Sequence, residues 1–126
     1  MTVTVPKLPA RPEINADWDN PSFADTDELL IANYMGEEPD HFPSTHFRLA
    51  YDDSALYVMF RVEDRYVRAV ADHHQGNVCR DSCVEFFFTP GSDVSNGYFN
   101  IEMNCGGTML FHFQKRASTA CRRVRP

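Results

Sequence analysis

Apolar and polar residues alternate with a period of two over most of the chain after residue 46, a pattern typical of β-strands with one buried face. The segments HFRLAY and LYVMFRVED, joined by the turn DDSA, predict a hairpin over residues 46–64. VEFFFT and YFNIEMN, joined by PGSDVSNG, predict a second pair of strands, and TMLFHFQ predicts the last strand. We therefore expect an antiparallel sheet fold.

The apolar residues of each predicted strand share one parity, so a shift of one residue would expose each set. This predicts a core that consists of Phe47, Leu49, Leu56, Val58, Phe60, Val84, Phe86, Phe88, Phe99, Ile101 and Met103. The opposite parity carries mainly polar residues.

Three other segments lack this alternation. Residues 1–22 contain four prolines and predict an extended strap laid over a core. LLIANY predicts a strand after a turn, although a short helix capped by Asp25 or Thr26 fits as well. RYVRAVADHHQGNVCR fits either a helical turn or a long loop.

Composition narrows the fold class. The 126 residues are 43% hydrophobic and 13% aromatic, which suits one domain with a single core and favours strands. We therefore expect an all-β protein with antiparallel strands. No membrane-spanning segment and no apolar signal-peptide region occur in the sequence as written.

The net charge of −6 argues against a nucleic-acid partner. Basic residues gather only in the tail, residues 114–126, which we interpret as solvated, with polyanion binding or a cloning artefact as alternatives. The four cysteines lack the paired spacing of a zinc knuckle. Free buried thiols are the default expectation, and a disulfide becomes plausible if a leader was removed.

The polar face has an unusual composition for a solvated sheet. It gathers planar polar groups beside aromatic rings, at Arg48, Arg61, Glu85, Asn100, Glu102, Asn104, Tyr57 and Phe87. Sugars suit such a surface, because a pyranose stacks its C–H face on a ring while its hydroxyls bind carboxylate, amide and guanidinium groups. The alternative is a solvated face with weak Arg–Glu pairs.

Four segments, in order, resemble carbohydrate-binding module family 9 and its wider family-9-like group: DWDNPSF, FRLAYDDSALYVMFRVED, CRDSCVEFFFTPGS and YFNIEMNCGGTM. The resemblance runs from about residue 14 to residue 110, and we assign residues 14–113 to the module. It implies an antiparallel β-sandwich of the jelly-roll or immunoglobulin-like type. Such a module binds oligosaccharides or polysaccharides, characteristically at chain ends, without catalysis, and can carry structural calcium.

Carried over by residue, the resemblance puts the family's strand glutamate at Glu85 and its acidic turns at Asp52, Asp53 and Asp64, the candidate calcium ligands. The polar positions of the partner strand fall among Asn100, Glu102 and Asn104. Two departures stand out. Cys79 replaces a stacking Trp, and the strands that follow GGTM in the family are missing, which predicts an incomplete sandwich prone to self-association.

Two other functions compete with sugar binding. Glu85 and Glu102 on adjacent strands have about the carboxyl separation of a retaining glycosidase, which makes a glycoside-processing enzyme conceivable. Nearby Arg48 and Arg61, however, are expected to lower carboxylate pKa values, which argues against an acid catalyst. The third function is an interaction domain completed by a partner chain.

Overall fold

The computed structural model describes residues 2–115, and six β-strands lie within them. In chain order they are β1 (Leu29–Leu30), β2 (Ser44–Tyr51), β3 (Leu56–Glu63), β4 (Cys83–Phe88), β5 (Tyr98–Asn104) and β6 (Met109–Gln114). Short 3-10 turns occupy Pro21–Phe23, Val78–Arg80 and Val94–Asn96, and the described residues contain no α-helix.

The strands form two antiparallel sheets, in the orders β1–β2–β3 and β4–β5–β6. The chain divides into two compact units after Arg65, and each unit contains one sheet. The prediction of an all-β, antiparallel fold is confirmed, and two such sheets are the components of a β-sandwich. The strand predicted in LLIANY is limited to the two residues of β1.

The first sheet is built around the predicted hairpin, whose strands β2 and β3 pair over their full length. The Asp52 carboxylate closes the turn, because its Oδ1 accepts hydrogen bonds from the backbone N–H groups of Ser54 (2.7 Å) and Ala55 (2.8 Å). Hydrogen bonds from the Tyr57 hydroxyl and from Ser54 hold the pKa of Asp52 below its usual range. The acidic turn is therefore explained by the hairpin itself.

The N-terminal strap packs on one face of this sheet. Leu8 N donates to Tyr51 O (2.7 Å) and Tyr51 N donates to Pro6 O (3.1 Å), which fixes the strap at the end of β2. The buried core of the first unit consists of Leu8, Phe23, Ala50 and Tyr57, with Met59 packed against it.

The face that the strap covers is the one predicted to be polar, since it contains Ala50 and Tyr57. Leu56 and Met103, both predicted core residues, are 45% and 40% exposed, so the prediction is wrong for these two. The other nine predicted core residues are half-buried. Alternation assigns residues to faces, but the segments that pack on a sheet decide which face is enclosed.

One face of the second sheet is a ladder of phenylalanines. The Phe88 ring stacks on Phe86 and Phe99 with centroids 5.4 Å and 5.3 Å apart, and Phe99 stacks on Phe111 at 5.6 Å. Cross-strand aromatic pairs contribute about 0.2–1 kcal/mol each to sheet stability. The register of these rings places the polar residues of all three strands on the opposite face.

The segment that precedes β4 is fastened to the sheet by one buried carboxylate. Asp81 Oδ2 accepts hydrogen bonds from the backbone N–H groups of Val70 (2.9 Å) and Ala71 (2.8 Å) and from Asn104 Nδ2 (2.9 Å). Arg68 Nε lies 3.5 Å from Asp81 Oδ1. These contacts, the Ala71 bond foremost, hold the pKa of Asp81 below its usual range.

Asn104 extends this network to the turn between β5 and β6. Its Oδ1 accepts hydrogen bonds from the backbone N–H groups of Gly106 (3.0 Å) and Thr108 (2.8 Å). Gln75 covers the outer edge of β6, because its side-chain amide accepts from Phe111 N and donates to Phe111 O. A strand edge paired in this way is protected from pairing with another chain.

The cysteines differ from one another. Cys83 and Cys105 carry free thiols, whereas Cys79 is disulfide-bonded, so the default expectation of free thiols is wrong for Cys79. Cys121 and the basic tail from Arg116 onward lie outside the described residues. No helix in residues 2–115 has the length and apolar character to cross a membrane.

Replacing Asn104 by alanine is expected to destabilise the protein by about 2–4 kcal/mol, because two backbone N–H groups lose their acceptor and the Asp81 carboxylate loses one of its three donors. Urea denaturation followed by circular dichroism measures this change in the free energy of unfolding. The control is Asn96→Ala, which removes an exposed side-chain hydrogen bond and is expected to cost less than about 0.5 kcal/mol. Equal effects of the two substitutions would contradict the role given to Asn104.

Candidate functional site

Most of the residues predicted to bind a ligand lie on the polar face of the second sheet. The register places Glu85 of β4 opposite Glu102 of β5, and Phe87 opposite Asn100. Opposing side chains have Cβ atoms about 5 Å apart, so these four residues are neighbours. We call Glu85, Phe87, Asn100 and Glu102 the polar patch.

Two members of the polar patch are almost completely enclosed. Asn100 and Glu102 are 3% and 6% exposed, and Asn100 Nδ2 donates to Glu102 Oε1 at 2.8 Å. Among the described residues, Asn100 Oδ1 and Glu102 Oε2 have no hydrogen-bond partner. Buried acceptors without a donor are rare in native proteins. The polar patch is therefore short of donors.

The electrostatics of the polar patch are those of two neighbouring acids. Partial burial, and then the charge of Glu102, raise the pKa of the Glu85 carboxyl, although much of the side chain stays exposed. Burial and the charges of Glu85 and Glu102 raise the pKa of the Cys83 thiol to about 12, and this thiol lies 3.9 Å from Glu85 Oε1. The expectation that arginines lower carboxylate pKa values here is wrong for Glu85.

Phe87 gives the polar patch an exposed aromatic surface. Its ring is 51% exposed and lies 5.7 Å from the ring of Tyr98, centroid to centroid. The Tyr98 hydroxyl donates to Gln114 Oε1 at 3.2 Å, which holds the Tyr98 ring in place. Sequence reasoning missed Tyr98, although its position two residues before Asn100 assigns it to this face. Glu85 is also exposed, so the ring and one carboxylate are both accessible.

Two of the residues predicted to bind a ligand instead make hydrogen bonds within the protein. The Asn104 amide is committed to Asp81 and to the β5–β6 turn. Tyr57 is buried in the first unit, where its hydroxyl donates to Asp52 Oδ2 at 2.7 Å. We therefore do not include Asn104 or Tyr57 in the polar patch.

Arg48 and Arg61 contact residues that sequence reasoning missed. Both guanidinium carbons lie 4.7 Å from the centroid of the Trp18 ring, a cation–π arrangement. Glu28 Oε1 accepts from Arg61 Nη2 at 2.9 Å, and Glu28 Oε2 lies 3.6 Å from Arg48 Nη2. This cluster fastens the strap to β2 and β3. Both arginines belong to the first unit and Glu85 to the second, so the pairing of Glu85 with either one stays a prediction.

The acidic residues predicted to bind calcium have other partners. Asp53 pairs with Lys7, Asp64 Oδ1 lies 2.7 Å from His41 Nε2, and Asp52 closes the hairpin turn. In the described part of the chain, no three His, Cys, Asp or Glu side chains are placed to hold a metal ion. These carboxylates do not fit a shared calcium site, and calcium binding stays a prediction.

A concave surface lies in the first unit, beside β1. Its cavity has a volume of about 250 Å³ and is lined by Leu30, Ile31, Ala32, Tyr34, Glu38, Phe42, Pro43 and Ser44. The rings of Tyr34 and Phe42 meet edge to face with centroids 6.0 Å apart. No residue predicted to bind a ligand lines this cavity, which makes it the alternative location for a ligand.

The chain is similar to a known family and to a solved structure. The sequence model of carbohydrate-binding family 9 matches residues 18–124. A protein from Bacteroides uniformis ATCC 8492 that has been proposed to bind carbohydrate has a similar crystal structure, with 29% sequence identity and a TM-score of 0.77. The similarity covers 92% of this chain and 56% of that protein, so the chain spans little more than half its length. No curated protein matches the chain.

The substitution Glu85→Gln is expected to increase the stability of the protein more at neutral pH than at acid pH. Because the pKa of Glu85 is raised, the folded state binds its proton more tightly than the unfolded state does. The parent therefore loses stability as pH rises from the unfolded-state pKa to the folded-state pKa. The variant lacks this loss, so its stability relative to the parent increases as the pH rises from about 4, near the unfolded-state pKa of a glutamate, through the folded-state pKa of Glu85.

Urea denaturation at these pH values measures the effect. Glu63→Gln, which removes one negative charge from the exposed end of β3, controls for the change in net charge. A difference between the Glu85 variant and the parent that stays constant across the pH range would contradict the raised pKa.

Proposed function

The chain belongs to carbohydrate-binding family 9, and we propose that it is a non-catalytic module that binds the ends of oligosaccharides or polysaccharides through the polar patch. The observation that carries this proposal is the exposed Phe87 ring beside the exposed Glu85 carboxylate. An apolar ring next to hydrogen-bonding groups in fixed positions is the arrangement that sugar rings require.

Each part of the polar patch has a role in this proposal. The C–H face of a pyranose stacks on Phe87, which Tyr98 supports from the side. Sugar hydroxyls donate to the two oxygens of Glu85, since an ionised carboxylate only accepts hydrogen bonds. Asn100 and Glu102 lie next to this contact and add acceptor character to the floor of the site.

A glycoside-processing enzyme is the second candidate, because one observation favours it. Glu85 and Glu102 oppose each other, and the pKa of Glu85 is raised, as in the acid of a retaining glycosidase. Against this, the domains of carbohydrate-binding families are generally non-catalytic. Glu102 is also enclosed, so it is poorly placed to attack a substrate.

Isothermal titration calorimetry with cello- and xylo-oligosaccharides tests the proposal on the parent and two variants. Phe87→Ala removes the stacking surface and is expected to weaken binding by about 1–2 kcal/mol, roughly tenfold in Kd. Glu85→Gln removes charged acceptors and is expected to cost about 1–3 kcal/mol. Both positions are exposed, so the fold is expected to survive.

The matched control is Phe113→Ala, which removes an equally exposed ring, 50% against 51%, from the other face of the same sheet. Its binding is expected to equal that of the parent. Unchanged affinity in both polar-patch variants would overturn the proposal, and release of reducing sugar would favour the enzyme. Concentration-dependent assembly without sugar binding would favour an interaction domain.

A further inference from the structure

The polar patch carries more negative charge than the binding of neutral sugars requires. Glu85 and Glu102 face each other across β4 and β5. Within the described second unit, neither carboxylate makes an ion pair with a basic side chain, and the Arg68 guanidinium is instead paired with Asp81. The facing carboxylates therefore repel each other without a counter-charge in the described second unit, and this repulsion, after partial burial, contributes to the raised pKa of Glu85.

The other titratable groups around the polar patch do not supply the missing charge. Cys83 stays a neutral thiol because its pKa is raised. His112 of β6 lies opposite Asn100, and Arg80 lies in the turn that packs against β4 and β5. Neither His112 nor Arg80 makes an ion pair with a described carboxylate of the patch.

The unpaired hydrogen-bond acceptors of the polar patch also favour a cationic ligand, independently of the charges. Asn100 Oδ1 and Glu102 Oε2 are enclosed acceptors without a donor, in side chains that are more than nine-tenths buried. A site that lacks both positive charge and donors is best completed by a ligand group that is a cation and a multiple donor. An ammonium group is such a cation, because it has three N–H donors and no acceptor.

We propose that the polar patch prefers amino sugars, in which an ammonium group replaces one ring hydroxyl, over neutral sugars of the same size. This inference rests on the proposed function and names the class of sugar for the same site. The sugar stacks on Phe87 while its ammonium group donates to Glu85, the accessible carboxylate. Glu102 adds negative potential beside that contact, and charge-assisted hydrogen bonds are roughly twice as strong as neutral ones.

Three matched β-1,4-linked trisaccharides test the preference by calorimetry on the full chain: cellotriose, the trisaccharide of glucosamine, and its N-acetylated form. They differ only in the group at C2, which is a hydroxyl, an ammonium or a neutral amide at about pH 6. The glucosamine trisaccharide is expected to bind about tenfold more tightly than either of the others at low salt. Added salt is expected to reduce this ratio, because Glu85 is partly exposed to screening.

Glu85→Gln is expected to lower the ratio between glucosamine trisaccharide and cellotriose to about one, since it removes the accessible charge. Glu63→Gln, which removes one charge from the first unit, is expected to leave the ratio unchanged. Equal binding of the three trisaccharides by the parent would overturn the inference and leave the proposed function standing. If the parent bound none of the three trisaccharides, both the inference and the proposed function would be overturned. If the preference for the glucosamine trisaccharide survived in Glu85→Gln, the role given to the Glu85 carboxylate would be overturned.

Discussion

The hydrogen bond between Asp81 and Asn104 is the contact on which the second unit depends. Asp81 accepts from two backbone N–H groups of the segment before β4, and Asn104 holds the turn after β5. One buried carboxylate and one amide therefore connect a segment without regular structure to the sheet. Burying this carboxylate would be costly without the three donors that the segment and Asn104 supply to Asp81 Oδ2, so the segment and the sheet must come together as one arrangement.

This constraint explains why the polar patch differs from a solvated sheet face. Asn104, Glu102 and Asn100 follow one another on the same side of β5, and all three are buried. Asn104 has its partners, whereas the other two retain acceptors without donors. Towards the Phe87 end of the patch the ring and Glu85 are accessible. The same face is therefore structural at one end and available to a ligand at the other.

The predictions that succeed are those that depend on local pattern. Alternation with a period of two, with short turns between the strands, is enough to predict the hairpin and to place Glu85 beside Glu102. Burial is not predictable in this way, since it depends on segments without periodicity, as the exposed Leu56 and the buried Tyr57 illustrate. The partners of Arg48 and Arg61 likewise cannot be predicted from the sequence, because Trp18 and Glu28 are distant in sequence and belong to no repeating pattern.

Sugar binding at the polar patch can be located by an NMR titration of the ¹⁵N-labelled chain with a trisaccharide. We expect saturable chemical-shift changes at the backbone amides of Glu85, Phe87 and Asn100. We expect none at Tyr34 and Phe42, which line the cavity of the first unit. Changes confined to Tyr34 and Phe42, or no changes at any sugar concentration, would contradict binding at the polar patch.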